Sequence, residues 1–238
     1  VEINMRRSFS VGGVVGDSLS VWMKNFLPYF LLGLLMFTPL VALQYMLVTG
    51  TDLGVAAAIV PVALTVLLQM ALTGSVVYGV FQQMSGEKPS IATCLSVGMS
   101  RMFPILGVAI VTGILIGVGM MFLLIPGLIL MCMWWVVIPV AVVERPGLTE
   151  AMTRSADLTK GYRWQVLGIV LVVGVLGSLA QYVIGQALDP TALVGLLTAG
   201  VASAFFGVWG AVAQAVGYHD LRVTKEGANT KAIAAAFD

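Results

Sequence analysis

Chemistry on a small molecule usually shows in a sequence as clustered histidines, carboxylates, cysteines or a glycine-rich phosphate loop. Here the one histidine, His219, is followed by Asp220, with no evident nucleophile to complete a catalytic set. It reads as an interfacial residue near a helix C-terminus, where positive character is favoured. There is no His-Glu-x-x-His helix, no Walker loop and no Gly-x-Ser-x-Gly elbow. Cys94 and Cys132 do not form a disulfide framework. Cys94 is expected near the charged face and Cys132 within a span towards the other side, so the two should not pair. The sequence offers no catalytic residue, no metal ligand set and no cofactor, and the expectation is a protein that is not an enzyme.

What remains is amide and hydroxyl chemistry inside apolar stretches. Gln44, Gln69, Gln181 and Gln214 stand there with Thr65, Thr112 and Ser203. Intramembrane charges usually mark ion paths and proton relays, and these stretches carry none. The four glutamines have two open uses: a site for a neutral or amphipathic ligand, or hydrogen bonds between helices. Small residues form a second pattern. Gly195, Ala199, Ser203, Gly207, Ala211 and Ala215 recur every four residues, and Gly113 and Gly117 repeat the spacing on a smaller scale. Such ridges let a neighbouring backbone come close, within the chain or in another subunit.

These residues need elements to hold them. Hydrophobic residues are 59% of the chain and charged residues 10%, against about a quarter charged in soluble domains. The chain is therefore read as all-α and integral to a membrane. Met102 to Val143 has no charged side chain. As one helix it would run about 60 Å at 1.5 Å per residue, roughly twice the hydrocarbon thickness of a bilayer. A turn is expected at Ile125-Pro126-Gly127. The full reading is six spans in one membrane domain over 1–238: about 26–48, 55–80, 104–125, 128–143, 164–188 and 191–218, with a polar tail at 219–238. Thr49 to Gly54 and Asp189-Pro190 read as turns, and Gln82 to Pro89 as a polar strip. Pro39, Pro61 and Pro139 interrupt spans, as kinks or as broken helices around a site. Trp134 and Trp135 sit mid-span, as packing bulk or as a pigment or quinone contact.

Each pair of spans follows a short amphipathic helix suited to the membrane surface. In the first, Val11, Val14, Val15, Ser18 and Trp22 share a face; in the second, Ile91, Leu95, Met99 and Met102. In the third, Leu148, Met152, Ser155, Leu158 and Tyr162 oppose Glu150, Arg154, Asp157 and Lys160, with Glu150 and Arg154 spaced for an i,i+4 pair. Leu19, Ser20, Val21, Met23 and Pro28 are matched at one constant offset by Leu95, Ser96, Val97, Met99 and Pro104. This supports three hairpin units as an internal repeat.

With six spans, all 12 lysines and arginines fall on one side, and the opposite loops carry Asp52 and Asp189. By the positive-inside rule both termini are cytoplasmic. Arg6 and Arg7 hold the N-terminus there, and the opening residues lack the apolar core of a signal peptide. Lys24, Arg101, Arg154, Lys160 and Arg163 are the expected contacts to anionic headgroups. A net charge of +1 gives no reason to expect nucleic acid.

The second half carries a resemblance. Ile125-Pro126-Gly127-Leu128, Pro139 to Glu144, Ala151 to Gly161, Tyr218-His219-Asp220-Leu221-Arg222 and Lys225-Glu226-Gly227 resemble the bacterial six-span proteins known as the membrane domain of glycerophosphoryl diester phosphodiesterase. In some relatives this unit is joined to a soluble phosphodiesterase barrel, which would need about 250 further residues, and no soluble segment here is that long. The resemblance implies a bacterial inner-membrane location and carries over no catalytic residue. The expected role is a non-enzymatic structural or accessory component. It would pack with membrane lipids, with itself as a homo-oligomer, or with a larger membrane complex. The alternative is a transporter or permeation path for a neutral or lipid-like substrate.

Overall fold

The computed structural model describes residues 9–50, 54, 56–86 and 90–227. Among them are the helices α1 (Val11–Lys24), α2 (Phe26–Val48), α3 (Ala56–Met84), α4 (Ile91–Ser100), α5 (Met102–Phe122), α6 (Leu124–Met133), α7 (Val137–Val143), α8 (Leu148–Thr159), α9 (Arg163–Ala187) and α10 (Leu193–Glu226). Six helical segments are long and apolar enough to cross a bilayer: Phe26–Val48, Ile59–Met84, Met102–Phe122, Leu124–Val143, Arg163–Ala187 and Leu193–Glu226. The chain is an all-α, multi-pass membrane protein. Expectations on Arg6, Arg7, Asp52, Lys88 and most of the tail fall outside the described residues.

α10 is the hub. It packs on α2, α3, α9 and α1, and more lightly on α7 and α8. Small residues allow this. A methyl on Gly33 of α2 would meet the Val208 side chain at 2.7 Å, and one on Gly207 would meet the Phe37 ring at 3.2 Å. α5 and α9 are peripheral, with buried positions confined to Ile105, Val108 and Thr112 on the first and Val166 and Ile169 on the second.

The turn between α5 and α6 is not at Pro126. The backbone breaks at Leu123, which is extended (φ −154°), and Leu124 already begins the next helix. Pro126 thus stands in the first turn of α6, where a missing N–H breaks no intrahelical bond. Gly127 serves as the crossing point instead: its Cβ position is 2.6 Å from the Met120 backbone nitrogen.

The fourth span is itself broken, as one reading of Pro139 allowed, with the break at residues 134–136 just before the proline. α6 stops at Met133, and Trp134-Trp135-Val136 form a turn before α7. There Val137 N–H bonds back to the Trp134 carbonyl at 3.1 Å rather than to Met133. The Met133 carbonyl is taken by α8, accepting from Ser155 Oγ at 2.9 Å and Thr159 Oγ1 at 3.1 Å, both donors fully buried. The turn also frees the Trp135 ring to lie over Gly217 of α10.

All three short helices turn one face into the bundle. On α1, Val14, Ser18 and Trp22 are fully buried. Trp209 Nε1 donates to Ser18 Oγ at 3.2 Å, and Trp22 meets Phe205 edge-on at 4.2 Å. α4 buries Cys94 and Gly98, not Met99, which stays 46% exposed. Gly98 is pressed against Ala71 and Ser75 of α3, where any side chain would strike backbone. On α8 the expected Glu150–Arg154 pair does not form. Glu150 Oε2 accepts from Gly147 N–H at 3.2 Å, capping the helix start, and Arg154 turns to Glu144 and Glu226. Capping satisfies a donor the helix leaves unpaired, whereas an exposed i,i+4 pair contributes only a few tenths of a kcal/mol.

Replacing both hydroxyls, Ser155→Ala with Thr159→Val, leaves the Met133 carbonyl without those donors. We expect a loss of about 1–3 kcal/mol, read as a lower unfolding midpoint in mild detergent. An unchanged midpoint would mean that the broken span does not depend on α8.

Candidate functional site

Two regions bring polar side chains together, one at each end of the bundle. At the end away from the lysines and arginines, the last turns of α2 and α9 and the first turns of α10 enclose an open cleft of about 430 Å³. Gln44, Leu47, Gln181, Ile184, Leu196 and Ala199 are among its walls. Gln181 crosses between helices, donating from Nε2 to Ser203 Oγ at 2.8 Å and to the Ala199 carbonyl at 3.2 Å. Its Oε1 has no hydrogen bond among the described residues. Gln44 is exposed on the α2 side of the same cleft. Two neutral amides over apolar walls can hold a group that donates and accepts hydrogen bonds without charge. Between α2 and α10 alone lies a second groove of about 230 Å³, lined by Phe37, Thr38, Val41, Tyr45, Leu197 and Val201 among others.

The structure thus brings two of the four intramembrane glutamines together. Gln69 lies opposite Gly207, and Gln214 is half-buried on α10 with its Oε1 unpartnered. The ridge on α10 is used within the chain along much of its length. Gly195 is pressed by the Asp189 carbonyl, Gly207 by Phe37, and Ala211 and Ala215 are buried. Gly113 and Gly117 have no atom within 4 Å of an added Cβ. A polar junction that sequence reading passed over joins α1, α2 and α3: Tyr29 OH donates to Gln83 Oε1 at 3.0 Å, and Gln83 Nε2 donates to the Val21 carbonyl at 2.9 Å. Burial pushes the neighbouring Cys94 thiol up to about 11. Cys132, expected towards the far side, lies within electrostatic reach of Arg163 at the start of α9.

At the other end, α7, α8 and α10 are tied by charge. Arg154 Nε donates to Glu144 Oε2 at 2.9 Å, and its Nη1 pairs with Glu226. Arg222 pairs with Glu226 at 3.1 Å and lies 3.8 Å from Glu144. Tyr218 OH donates to Glu144 Oε1 at 2.7 Å and accepts from Arg222 Nη1 at 3.2 Å. Lys225 Nζ donates to the Asp157 carbonyl. Hydrogen bonds from Arg154 to Glu226 and Glu144 hold its guanidinium well above its ordinary value, against the opposing effect of burial. The helical spacing of Tyr218, Arg222 and Glu226 explains why α10 runs past the expected end of its span. The first charged residue ends the hydrocarbon-facing stretch, not the helix. His219 is buried beside this cluster, with Nδ1 3.2 Å from Asp220 Oδ1 and its ring tilted over Phe81. Of the expected headgroup contacts, Lys24 and Lys160 are exposed, and Arg154 is engaged as described. Arg101 donates to the Val142 carbonyl, and the half-buried Arg163 has an unpartnered Nε.

Glu144→Gln should lower stability by about 1–3 kcal/mol by leaving Arg154 and Arg222 short of negative charge. With Arg154→Gln added, the combined loss should be smaller than the sum of the single losses. Strict additivity would remove the pair as a source of stability. Gly207→Leu should lower the unfolding midpoint through its clash with Phe37. If instead the variant kept its midpoint and only changed particle mass, the ridge would be an intermolecular surface. Comparison with family models, with curated proteins and with solved structures finds no match for this chain.

Proposed function

We propose that this chain is a non-enzymatic component of the bacterial inner membrane, with both termini cytoplasmic, that holds a lipid-like molecule in the cleft between α2, α9 and α10. The observation that carries the reading is that Gln44 and Gln181 line the same cleft. Apolar walls suit acyl chain, and uncharged amides suit the carbonyl and hydroxyl groups at a lipid's polar boundary. The position, one to two turns from the ends of α2 and α9, matches the depth at which headgroup meets chain.

Holding is favoured over passage. Beyond the cleft, α10 is packed by fully buried Ala204, Val208 and Val212, and the amides of Gln69 and Gln214 do not line it. An accessory role in a larger complex is compatible with the long exposed faces of α5 and α9, which carry Ile110, Ile114, Val175 and Leu179 outward. The resemblance to the glycerophosphodiesterase membrane domain belongs to this proposal as a relation of membrane units, not of activity.

The test is gentle extraction, followed by intact-particle mass measurement with identification of co-purifying lipid and protein. A retained lipid of neutral headgroup, reduced several-fold by Gln44→Leu, is the expected result. Gln44 makes no hydrogen bond that the fold needs, so the variant should fold. A wild-type particle that retains no lipid in the cleft would sink the reading.

A further inference from the structure

The cleft that holds Gln44 and Gln181 ends at a turn that carries a charge. Leu188 and Pro190 both line the cleft, and Asp189 stands between them. The Asp189 carbonyl presses on Gly195, another residue of the wall. The carboxylate is exposed, and one of its oxygens carries the local bonding. Oδ1 accepts from Thr191 N–H at 2.8 Å and from Thr191 Oγ1 at 2.6 Å. Oδ2 makes no hydrogen bond among the described residues. The bonds from Thr191, hydroxyl first, hold the carboxyl below its ordinary value, so it is ionised at neutral pH.

No cation answers this charge. Asp189 makes no ion pair among the described residues. Residues 25–87 and 164–221 contain no lysine or arginine, and the cleft is built from these two segments. An unpaired carboxylate at the rim of an apolar cleft repels anionic headgroups and attracts a positive one. The amides lie deeper. From Gln181 to the turn, α9 rises about 10 Å at 1.5 Å per residue. An extended phosphoethanolamine arm, about nine bonds from its ammonium to the first ester carbonyl, has about that length. Gln44 makes no hydrogen bond among the described residues, so its amide N–H groups are open to such a carbonyl.

We propose that the cleft selects a lipid whose headgroup carries an ammonium, of the phosphoethanolamine type, and that Asp189 is the residue that selects it. The inference rests on the reading of the cleft as a lipid site and adds the charge that the headgroup must bear. The ammonium meets the carboxylate at the rim, the ester region lies at the depth of the amides, and the acyl chains follow the apolar walls. Such a headgroup has no net charge, because its phosphate balances the ammonium.

The intact chain in mild detergent would be titrated with phosphatidylethanolamine or phosphatidylglycerol of matched acyl chains and read by native mass spectrometry. Phosphatidylethanolamine should bind about threefold to fivefold more tightly, the effect of one exposed charge contact. Asp189→Asn keeps an oxygen for Thr191 and removes the charge, so the preference should vanish while the unfolding midpoint holds. Thr191→Val loosens the turn and keeps the charge, so the preference should survive. Loss of the preference in Thr191→Val, or an equal weakening of both lipids by Asp189→Asn, would make Asp189 a turn residue only and overturn the inference. Equal binding of the two lipids by the unaltered chain overturns it as well. Gln44→Leu keeps the two readings apart, since it should weaken both lipids alike. If it does so while Asp189→Asn changes neither, the cleft holds lipid without reading its charge, and the ammonium alone is lost. If Gln44→Leu changes neither lipid, both readings fall.

Discussion

A carbonyl inside a bilayer has no water to turn to, and leaving one unpaired costs several kcal/mol. Breaking the fourth span at Trp134-Trp135-Val136 frees such a carbonyl at Met133, and the rest of this end of the molecule follows from how it is satisfied. Ser155 and Thr159 must reach it, so α8 cannot lie loosely on the membrane surface. With α8 drawn in, Arg154 comes beside Glu144 at the end of α7 and Glu226 at the end of α10. Two carboxylates and two guanidinia then neutralise one another within a partly buried cluster. A straight fourth span would pair the Met133 carbonyl with the Val137 N–H and give α8 no polar reason to be there.

Most of the fold was legible because hydrocarbon imposes a length and an absence of charge. α2 runs over the residues read as the first span, and six apolar segments are found where six were expected. The misses are of one physical kind. Pro126 looks like a turn, but proline is harmless in a first helical turn, and the real break at Leu123 carries no compositional mark. The Trp134–Val136 break is marked only by Pro139 just beyond it, and its polar partners lie on another helix more than twenty residues away. Ser155 and Thr159 read as ordinary members of an amphipathic helix. The glutamines were visible as a set, whereas which two meet depends on the packing of α2 and α9 around α10, which no spacing within one helix encodes.

Of the second-half segments singled out in the sequence, those on α7, α8 and α10 meet in the folded chain, while Gly127 lies at the α5–α6 turn. Gly127 makes the α5–α6 crossing, Glu144 ends α7, Arg154, Ser155 and Thr159 line α8, and Tyr218, Arg222 and Glu226 end α10. All but Gly127 build the corner around Met133 and its ion pairs, not the glutamine cleft.

The hub position of α10 has a consequence for the order of events during synthesis. α1, α2 and α3 leave the ribosome early, yet Ser18, Trp22, Gly33 and Phe37 find their partners on α10, the last of the described helices to be made. Until that helix enters, the earlier segments sit in the bilayer as a half-built assembly. Surfaces destined for protein are then open to lipid or to insertion factors. Closure of this part of the bundle thus waits on α10.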